Sequence, residues 1–431
     1  MSLFGKASIF YNNLINKKMS ILSAYRTELI IIFALFILII TPVIINMVSK
    51  VEAAAKQVNL YISARSEELL GKTMMDLLLQ EFLEKNPDIR LRIVNESAPS
   101  AEQADILFFD DNDFSQLIAD DSLLELNDFT NYDSGSRQMA VPLVSFMDML
   151  FYNIEILSAA GFASPPKTRE QFLAYAKAVS SGDFNASGAA ISLNPLDKKA
   201  LSRDIFSWIW AGGQTFWAEE DKPSLNTRAI TNDITFFGSL IREGVLAPDI
   251  FETTGDQRIE QFAKGQIALM IASTRIIPYL RERMGDDSFG VTIIPDAGTA
   301  SRYSIGISSI YAGISAGSKQ TGEAWKFIEF LAEKSQFLCA ELKAVPGVVS
   351  NIIPGDYVKS DLYYSKAWDI FESALIAETF SGRPGANQYK AIFLEELQTY
   401  LQTARSALET VNAIQERWNT WDAPDPGETS D

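Results

Sequence analysis

Val141–Asn153 reads VPLVSFMDMLFYN and runs directly into Ile154–Thr168, IEILSAAGFASPPKT. The first piece has the pattern of a long strand that leaves one lobe of the protein and enters another. In the second, a helix ends near Ala159-Ala160-Gly161, and Pro165 and Pro166 forbid its continuation. Thr168 is then placed to N-cap the next helix, which starts near Arg169. About a hundred residues later, Phe262–Ile271, FAKGQIALMI, ends a helix at Lys264-Gly265 and enters a buried strand. Phe289–Pro295, FGVTIIP, can carry the chain back to the first lobe, with Pro295 stopping the strand. A chain that crosses more than once makes a hinge, and two hinged α/β lobes can close around a ligand.

Outward from these crossings the pattern is α/β. Val58–Ile62 and Ile89–Val94 read as strands, and Glu67–Lys85 between them reads as one helix. Ala104–Phe109, ADILFF, is a third strand, continuous enough to be buried on both faces. Strand, helix, strand in this order predicts right-handed crossovers and a mainly parallel sheet. Phe172–Val179, Trp325–Leu331 and Ile392–Ile414 read as later helices. Gly290–Ile294 and Ile305–Ile314 read as later strands. Loops at the carboxyl ends of such strands are where open α/β sheets bind ligands.

Composition narrows the chemistry. The chain has 431 residues, no His and one Cys, with 37 Lys+Arg against 55 Asp+Glu, a formal charge of −18. Without histidine there is no Ser-His-Asp or Cys-His catalysis and no imidazole metal ligand. The lone Cys339 excludes intrachain disulfides and four-cysteine zinc sites. The acidic balance argues against nucleic acid as a partner. No phosphate-cradling glycine motif occurs, so any ATPase belongs to a separate subunit.

The charge is unevenly placed. Residues 1–28 are net +3, and the remainder carries −21. Leu29–Val48 follows, twenty residues without a charge, long enough as a helix to span roughly 30 Å of hydrocarbon. The basic flank sets residues 1–28 in the cytoplasm and everything after about Lys50 outside. A cleaved signal peptide competes with this reading, since Ala53-Ala54-Ala55 offers small residues downstream. No cysteine lies near the span, which excludes a lipid-modified anchor.

The crossing segments, together with Tyr311–Leu331, YAGISAGSKQTGEAWKFIEFL, resemble in order the extracellular solute-binding proteins of family 1, the sugar-binding receptors of ABC importers. The resemblance runs from about Val58 to about Arg417. It implies a two-lobed α/β fold of the periplasmic-binding-protein type II, with a hinge and an inter-lobe cleft, preceded here by one N-terminal transmembrane helix. Lobe I is then 58–146 plus 295–338 and lobe II 147–294 plus 339–417. They follow a cytoplasmic segment 1–28, the span 29–48 and a linker 49–57, and precede an acidic tail 418–431. The resemblance implies no catalytic residue, no cofactor and no metal. Its partners are a small solute, carbohydrate by family, and the permease subunits of the importer.

Position by position, the same resemblance brings Ser63 and Arg65 to the cleft after the first strand, and Asp110 and Asp111 after the third. It adds Phe146 at the crossover, Thr274 and Arg275 after IALMIAS, and Ser308 and Ser309 before YAGIS. Arg383 and Tyr389 reach it from the last segment, and Trp208 and Trp210 offer aromatic surface nearby. At i, i+2 on a helix these two tryptophans cannot share a face, so at most one lines a pocket. Two departures stand out: Arg275 and Ile310 occupy places where family members commonly carry aromatics. Arg65, Arg275 and Arg383 either make the cleft positive and suited to an acidic sugar, or pair with Asp110, Asp111 or Asp148 and leave it suited to a neutral one.

Three motifs point elsewhere. Gly313–Gly317, GISAG, matches a nucleophile elbow but lacks the histidine base, so it reads as a strand end. Asp110–Asp113, DDND, looks calcium-like but lacks the loop glycine and closing glutamate, and reads as a loop after the third strand. Glu219–Asp221 and Asp286-Asp287 invite a glycosidase reading, against which acidic runs are usually solvated surface. A glycosidase and a solute sensor reporting to a membrane partner are the rival functions.

Overall fold

The computed structural model describes residues 57–94, 104–129, 138–217, 223–296, 304–347, 355–377, 379–383 and 385–421, with positions 16, 38 and 40–42 near the start. Apart from those positions, the basic segment and the span Leu29–Val48 lie outside the described residues, as does Asp422–Asp431 of the acidic tail; residues 418–420, expected in that tail, instead complete the helix Ala407–Thr420, with Trp418 buried in the core. Among the described residues no helix is long and apolar enough to cross a membrane. The chain divides into two compact units, Met1–Asn59 with Leu83–Arg90, and Leu60–Phe82 with Leu91–Asp431. In the first, the turn at Asn86–Asp88 is tied to the incoming chain. Val58 N donates to Asp88 O at 2.9 Å and Gln57 Nε2 to Pro87 O at 3.3 Å.

The strands are β1 (Val58–Ser63), β2 (Ile89–Val94), β3 (Ile106–Asp110), β4 (Val141–Asn153), β5 (Ser187–Ala190), β6 (Ile267–Ser273), β7 (Phe289–Thr292), β8 (Ser304–Ile305), β9 (Ile307–Ile314), β10 (Val345–Pro346) and β11 (Leu375–Ile376). Nine of them form one sheet in the order β2-β1-β3-β9-β4-β6-β5, with β7 and β10 also paired to β4, and β8 and β11 form a separate parallel pair. The long strand β4 changes neighbours along its length. Val141–Met147 pairs with β9, whereas Asp148–Asn153 pairs with β6 and β7. The switch falls at Met147/Asp148, inside the long strand that the sequence pattern predicts.

The sheet is mixed, not mainly parallel. β1 and β3 are parallel, as are β5 and β6, which is the βαβ expectation. β4 is antiparallel to β6, β7 and β9, and β3 to β9. Two antiparallel steps leave β4 running the same way as β1 and β3, with β9 the reversed strand between them, whereas beside the parallel pair β5 and β6 it is β4 that is reversed.

Two long helices of the sequence reading are each broken in two. Gly71, at φ 92° and ψ 139°, separates Arg65–Leu70 from Lys72–Lys85. The segment predicted as Ile392–Ile414 is two helices, Ala386–Gln402 and Ala407–Thr420. Ser406 and Glu409 form a capping box that restarts the second. Thr168 N-caps the helix Arg169–Ser181 by accepting from Gln171 N, as its position predicts. Gly306 divides β8 from β9, and a Cβ there would lie 2.8 Å from the Trp210 ring.

The core beside β6 is aromatic. Phe206, Phe216, Phe380, Phe393 and Trp418 form a connected set of ring contacts. Burying a phenylalanine side chain stabilises by roughly 1.5–3 kcal/mol. The helix Lys198–Ala211 is covered all round over Asp204–Ala211, so Trp208 and Trp210 are both buried despite lying on different faces.

Candidate functional site

β1 and β3 end at a cavity of about 740 Å³. One wall is Arg65, Asp110 and Asn112. The other comes from the loop and first turns after β5, with Pro195, Lys198, Lys199 and Leu201, and from the helix Ala386–Gln402, with Lys390, Ala391, Leu394 and Gln398. That volume suits a small solute. Asp110 is the pivot. It N-caps the helix Asp111–Ala119 by accepting from Asn112 N at 2.9 Å, so the acidic run is a helix start rather than the loop expected from sequence. Its Oδ2 lies 2.9 Å from Lys199 Nζ and 3.9 Å from Arg65 Nη2. Burial pushes the Asp110 carboxyl up, but Lys199 and the bonds from Asn112 outweigh it and hold it below the usual range.

The cations around it are not equally engaged. Arg65 donates to Glu68 at 2.8 Å and to Asp113 at 3.0 Å, which neutralises it locally. Lys390 is half-buried and has no hydrogen-bond or ion-pair partner among the described residues. Burial lowers its pKa, against the attraction of Asp111 and Asp110. Lys198 is exposed at the cavity and likewise unpaired among the described residues.

Behind Asp110 lies a buried polar cluster. Asp111 accepts from Ser309 N at 2.5 Å and Tyr311 OH at 2.9 Å, and burial raises its pKa. Ser309 Oγ in turn lies 2.6 Å from Ser145 Oγ. Asp148, at the point where β4 changes neighbours, accepts from Ser207 Oγ at 2.9 Å, while its Oδ1 has no hydrogen-bond partner among the described residues. Desolvation pushes its carboxyl up to about 6, against the pull of Arg203.

Of the residues expected at the cleft, Arg65 and Asp110 line the cavity. Ser63 is buried and accepts from Phe108 N at 3.0 Å, tying β1 to β3. Thr274 is buried and accepts from Met147 N at 3.2 Å. Ser308 sits opposite Phe146 in the β4–β9 ladder, and Phe146 is buried. The Arg275 guanidinium lies 5.3 Å from the Phe146 ring centre and donates to Leu69 O at 3.1 Å. Arg383 lies 5.0 Å over the Trp217 ring. Trp208 and Tyr389 are core residues. Trp208 packs edge-on to Phe172 and against Phe236, and Tyr389 packs edge-on to Trp217, Trp418 and Trp421. Neither reaches the cavity, because the helices that carry them are covered on those faces.

Pro195, Lys198, Lys199, Lys390 and Gln398 are missing from the sequence reading. One signal was present. Lys198 and Lys199 open a helix, where positive charge opposes the macrodipole, and such a local conflict marks a position kept for another reason.

The other motifs of the rival readings, where described, lie away from the cavity. Ser315 of GISAG is fully buried just past β9, and its Oγ accepts from Gly317 N at 3.3 Å. Asp286 and Asp287 are exposed, with Asp286 2.8 Å from Arg281 Nε. Glu219–Asp221 lie outside the described residues. Among the described residues no group of three acidic or cysteine side chains is arranged to hold a metal ion.

Comparison with known proteins gives one consistent result. The model of the bacterial extracellular solute-binding protein family matches residues 80–361. A binding protein of Brucella abortus (strain 2308) is 22% identical over 200 residues, covering 46% of this chain and 47% of that one. The match thus spans about half the length of that relative. An ABC transporter-binding protein of Deinococcus radiodurans is 21% identical over 257 residues, covering 57% of this chain and 60% of its own. Among solved structures, the cyclic alpha-maltosyl-1,6-maltose binding protein of Arthrobacter globiformis superposes with a TM-score of 0.68 at 16% identity, over 84% of this chain and 98% of that one. The maltose-bound MalE3 of T. maritima gives 0.65 at 16% identity, over 84% and 99%. The mixed α/β fold is therefore that of the maltose-binding type.

Proposed function

Since this chain belongs to the bacterial extracellular solute-binding proteins, we propose that it is the receptor of an ABC-type importer, taking a carbohydrate into the cavity beside Asp110 and presenting it to a permease. The observation that carries this reading is the change of partners along β4 at Met147/Asp148, together with a cavity whose walls come from both sides of that change. The proposed lobes are 58–146 plus 295–338 and 147–294 plus 339–417. Lys199–Asp110 at 2.9 Å, Arg275 Nη2 to Leu69 O at 3.1 Å and Ser115 Oγ to Phe380 O at 3.3 Å all join one to the other. In this reading they belong to a closed form, and a solute held by both walls shifts the population toward it.

The apolar span Leu29–Val48 serves in this reading as a tether, with the body on the outer side. It keeps the receptor at high effective concentration near its permease. A separate subunit supplies ATP hydrolysis, and the receptor makes or breaks no covalent bond.

Thermal unfolding of the protein against a panel of mono- to trisaccharides, with the mixtures assayed for products, tests this. A sugar that raises the midpoint and is recovered intact is the expected result. Turnover of the sugar would make the protein a glycosidase and end the receptor reading.

A further inference from the structure

We propose that the solute is anionic, bearing a carboxylate or phosphate that seats between Lys390, Lys198 and Lys199; this rests on the cavity beside Asp110 being the solute site. The chain as a whole carries −18, yet three lysines from two separate helices converge on this one cavity. Its acids are mostly committed elsewhere. Glu395, on the rim, is held by Arg417 Nη2 at 2.8 Å, and the Arg65 charge is met by Glu68 and Asp113. Asp110 remains for the three lysines, and it is already 2.9 Å from one of them, Lys199.

Lys390 makes the case sharper. Its side chain is half-buried on the helix Ala386–Gln402, and its three ammonium donors meet no acceptor among the described residues. Asp111, which attracts it at a distance, has its carboxylate bonded to Ser309 N and Tyr311 OH. Burying an ammonium without a counter-ion is unfavourable. A neutral sugar hydroxyl satisfies a donor but leaves the charge uncompensated. An anionic oxygen does both, in the charge-assisted bond that is roughly twice as strong as a neutral one. Around the lysines, Leu201, Ala391 and Leu394 offer apolar surface for a ring face, and Gln398 offers both a donor and an acceptor. The site thus reads as an anion seat at one end of a sugar-sized cavity.

Thermal unfolding and calorimetry on the full chain decide it, with digalacturonate, glucuronate and glucose 6-phosphate set against maltose and maltotriose. An anionic probe is expected to bind at least about tenfold more tightly than either neutral sugar. Its affinity should fall at least about tenfold in Lys390→Gln and drop with rising salt. Preference for the uronates identifies a carboxylate, and preference for glucose 6-phosphate a phosphate. Lys198→Gln, at an exposed position, repeats the test should Lys390→Gln fail to fold. Neutral sugars binding as tightly as the anions, or anion affinity unchanged in both variants, overturns the anion seat while leaving the receptor reading intact. No binding by any of the five overturns both.

Discussion

Lys199 Nζ lies 2.9 Å from Asp110 Oδ2 and so joins the first turn of the helix Lys198–Ala211 to the residue that N-caps Asp111–Ala119. The lysine end is largely solvent-exposed, with 67% of its side chain accessible. An ion pair of that kind is worth about 0–1 kcal/mol. It is a weak tie across the cavity, one that the proposed receptor can break when it opens.

Lys199→Ala is therefore expected to lower stability by less than about 1 kcal/mol in urea unfolding at neutral pH. The sign of its pH dependence is fixed. Asp110 is held below its ordinary pKa, so its contribution is present above the unfolded carboxylate pKa and is lost as pH falls through the folded one. The gap between wild type and variant should close in acid. A loss well above 2 kcal/mol would mean that the pair is structural rather than a weak tie.

Asp148 behaves in the opposite sense. Its folded pKa of about 6 is raised, so its favourable contribution is complete below the unfolded pKa near 4 and is lost as pH rises through 6. Asp148→Asn removes the buried charge and keeps the acceptor for Ser207. The variant should be more stable than wild type at pH 8 by about 1–3 kcal/mol, with no advantage below about pH 4. Equal stability at pH 8 would show that Asp148 is solvated or neutral there.

Arg169 and Asp233 form a buried ion pair, with Arg169 Nη2 also donating to Trp208 O at 2.8 Å. Arg169→Met leaves Asp233 buried and alone, and should cost about 3–5 kcal/mol. Adding Asp233→Leu removes the orphaned charge and should recover much of that loss. Denaturant titration of the two variants checks it, and a double variant no better than the single one would contradict it.

Gly188 in β5 lies against the helix Arg169–Ser181 so closely that a Cβ would sit 1.9 Å from Ala176 O. Backbone cannot swing away as a side chain can. Gly188→Ala should cost about 3 kcal/mol or more, or leave little soluble protein, as circular dichroism and yield will show.

The long strand β4 and the turns and caps around it were legible because they rest on local chemistry. Thr168, Pro165 and Lys264-Gly265 announce their caps and turns within a few residues, and β4 and β6 announce themselves by continuous apolar runs. Sheet direction was not legible. Nothing within β4 says which way its neighbours run, and the βαβ rule holds only inside each strand group. Ser406-x-x-Glu409 did announce a helix start, but the apolar period on either side of it masks the break.

The site divides in the same way. Arg65 and Asp110 follow strand ends, which sequence order marks. Trp208 was expected near the cleft for its aromatic surface and Tyr389 through the resemblance of the last segment, but which face of a helix is covered depends on partners distant in sequence. Lys390 reaches the cavity from a helix more than 270 residues beyond Asp110. Its proposed role rests on packing and on its lacking an ion-pair partner among the described residues, neither of which a sequence displays.

Closure is measured most directly as a distance across the cavity. Asn112 and Thr399 are exposed on opposite walls, and the one native thiol, Cys339, is buried with its pKa pushed up to about 12, so spin labels go to the introduced sites. With labels at Asn112→Cys and Thr399→Cys, double electron–electron resonance should give a broad distribution that shortens and narrows when a binding sugar is added. A distribution unmoved by a sugar that calorimetry shows to be bound would contradict the closing receptor.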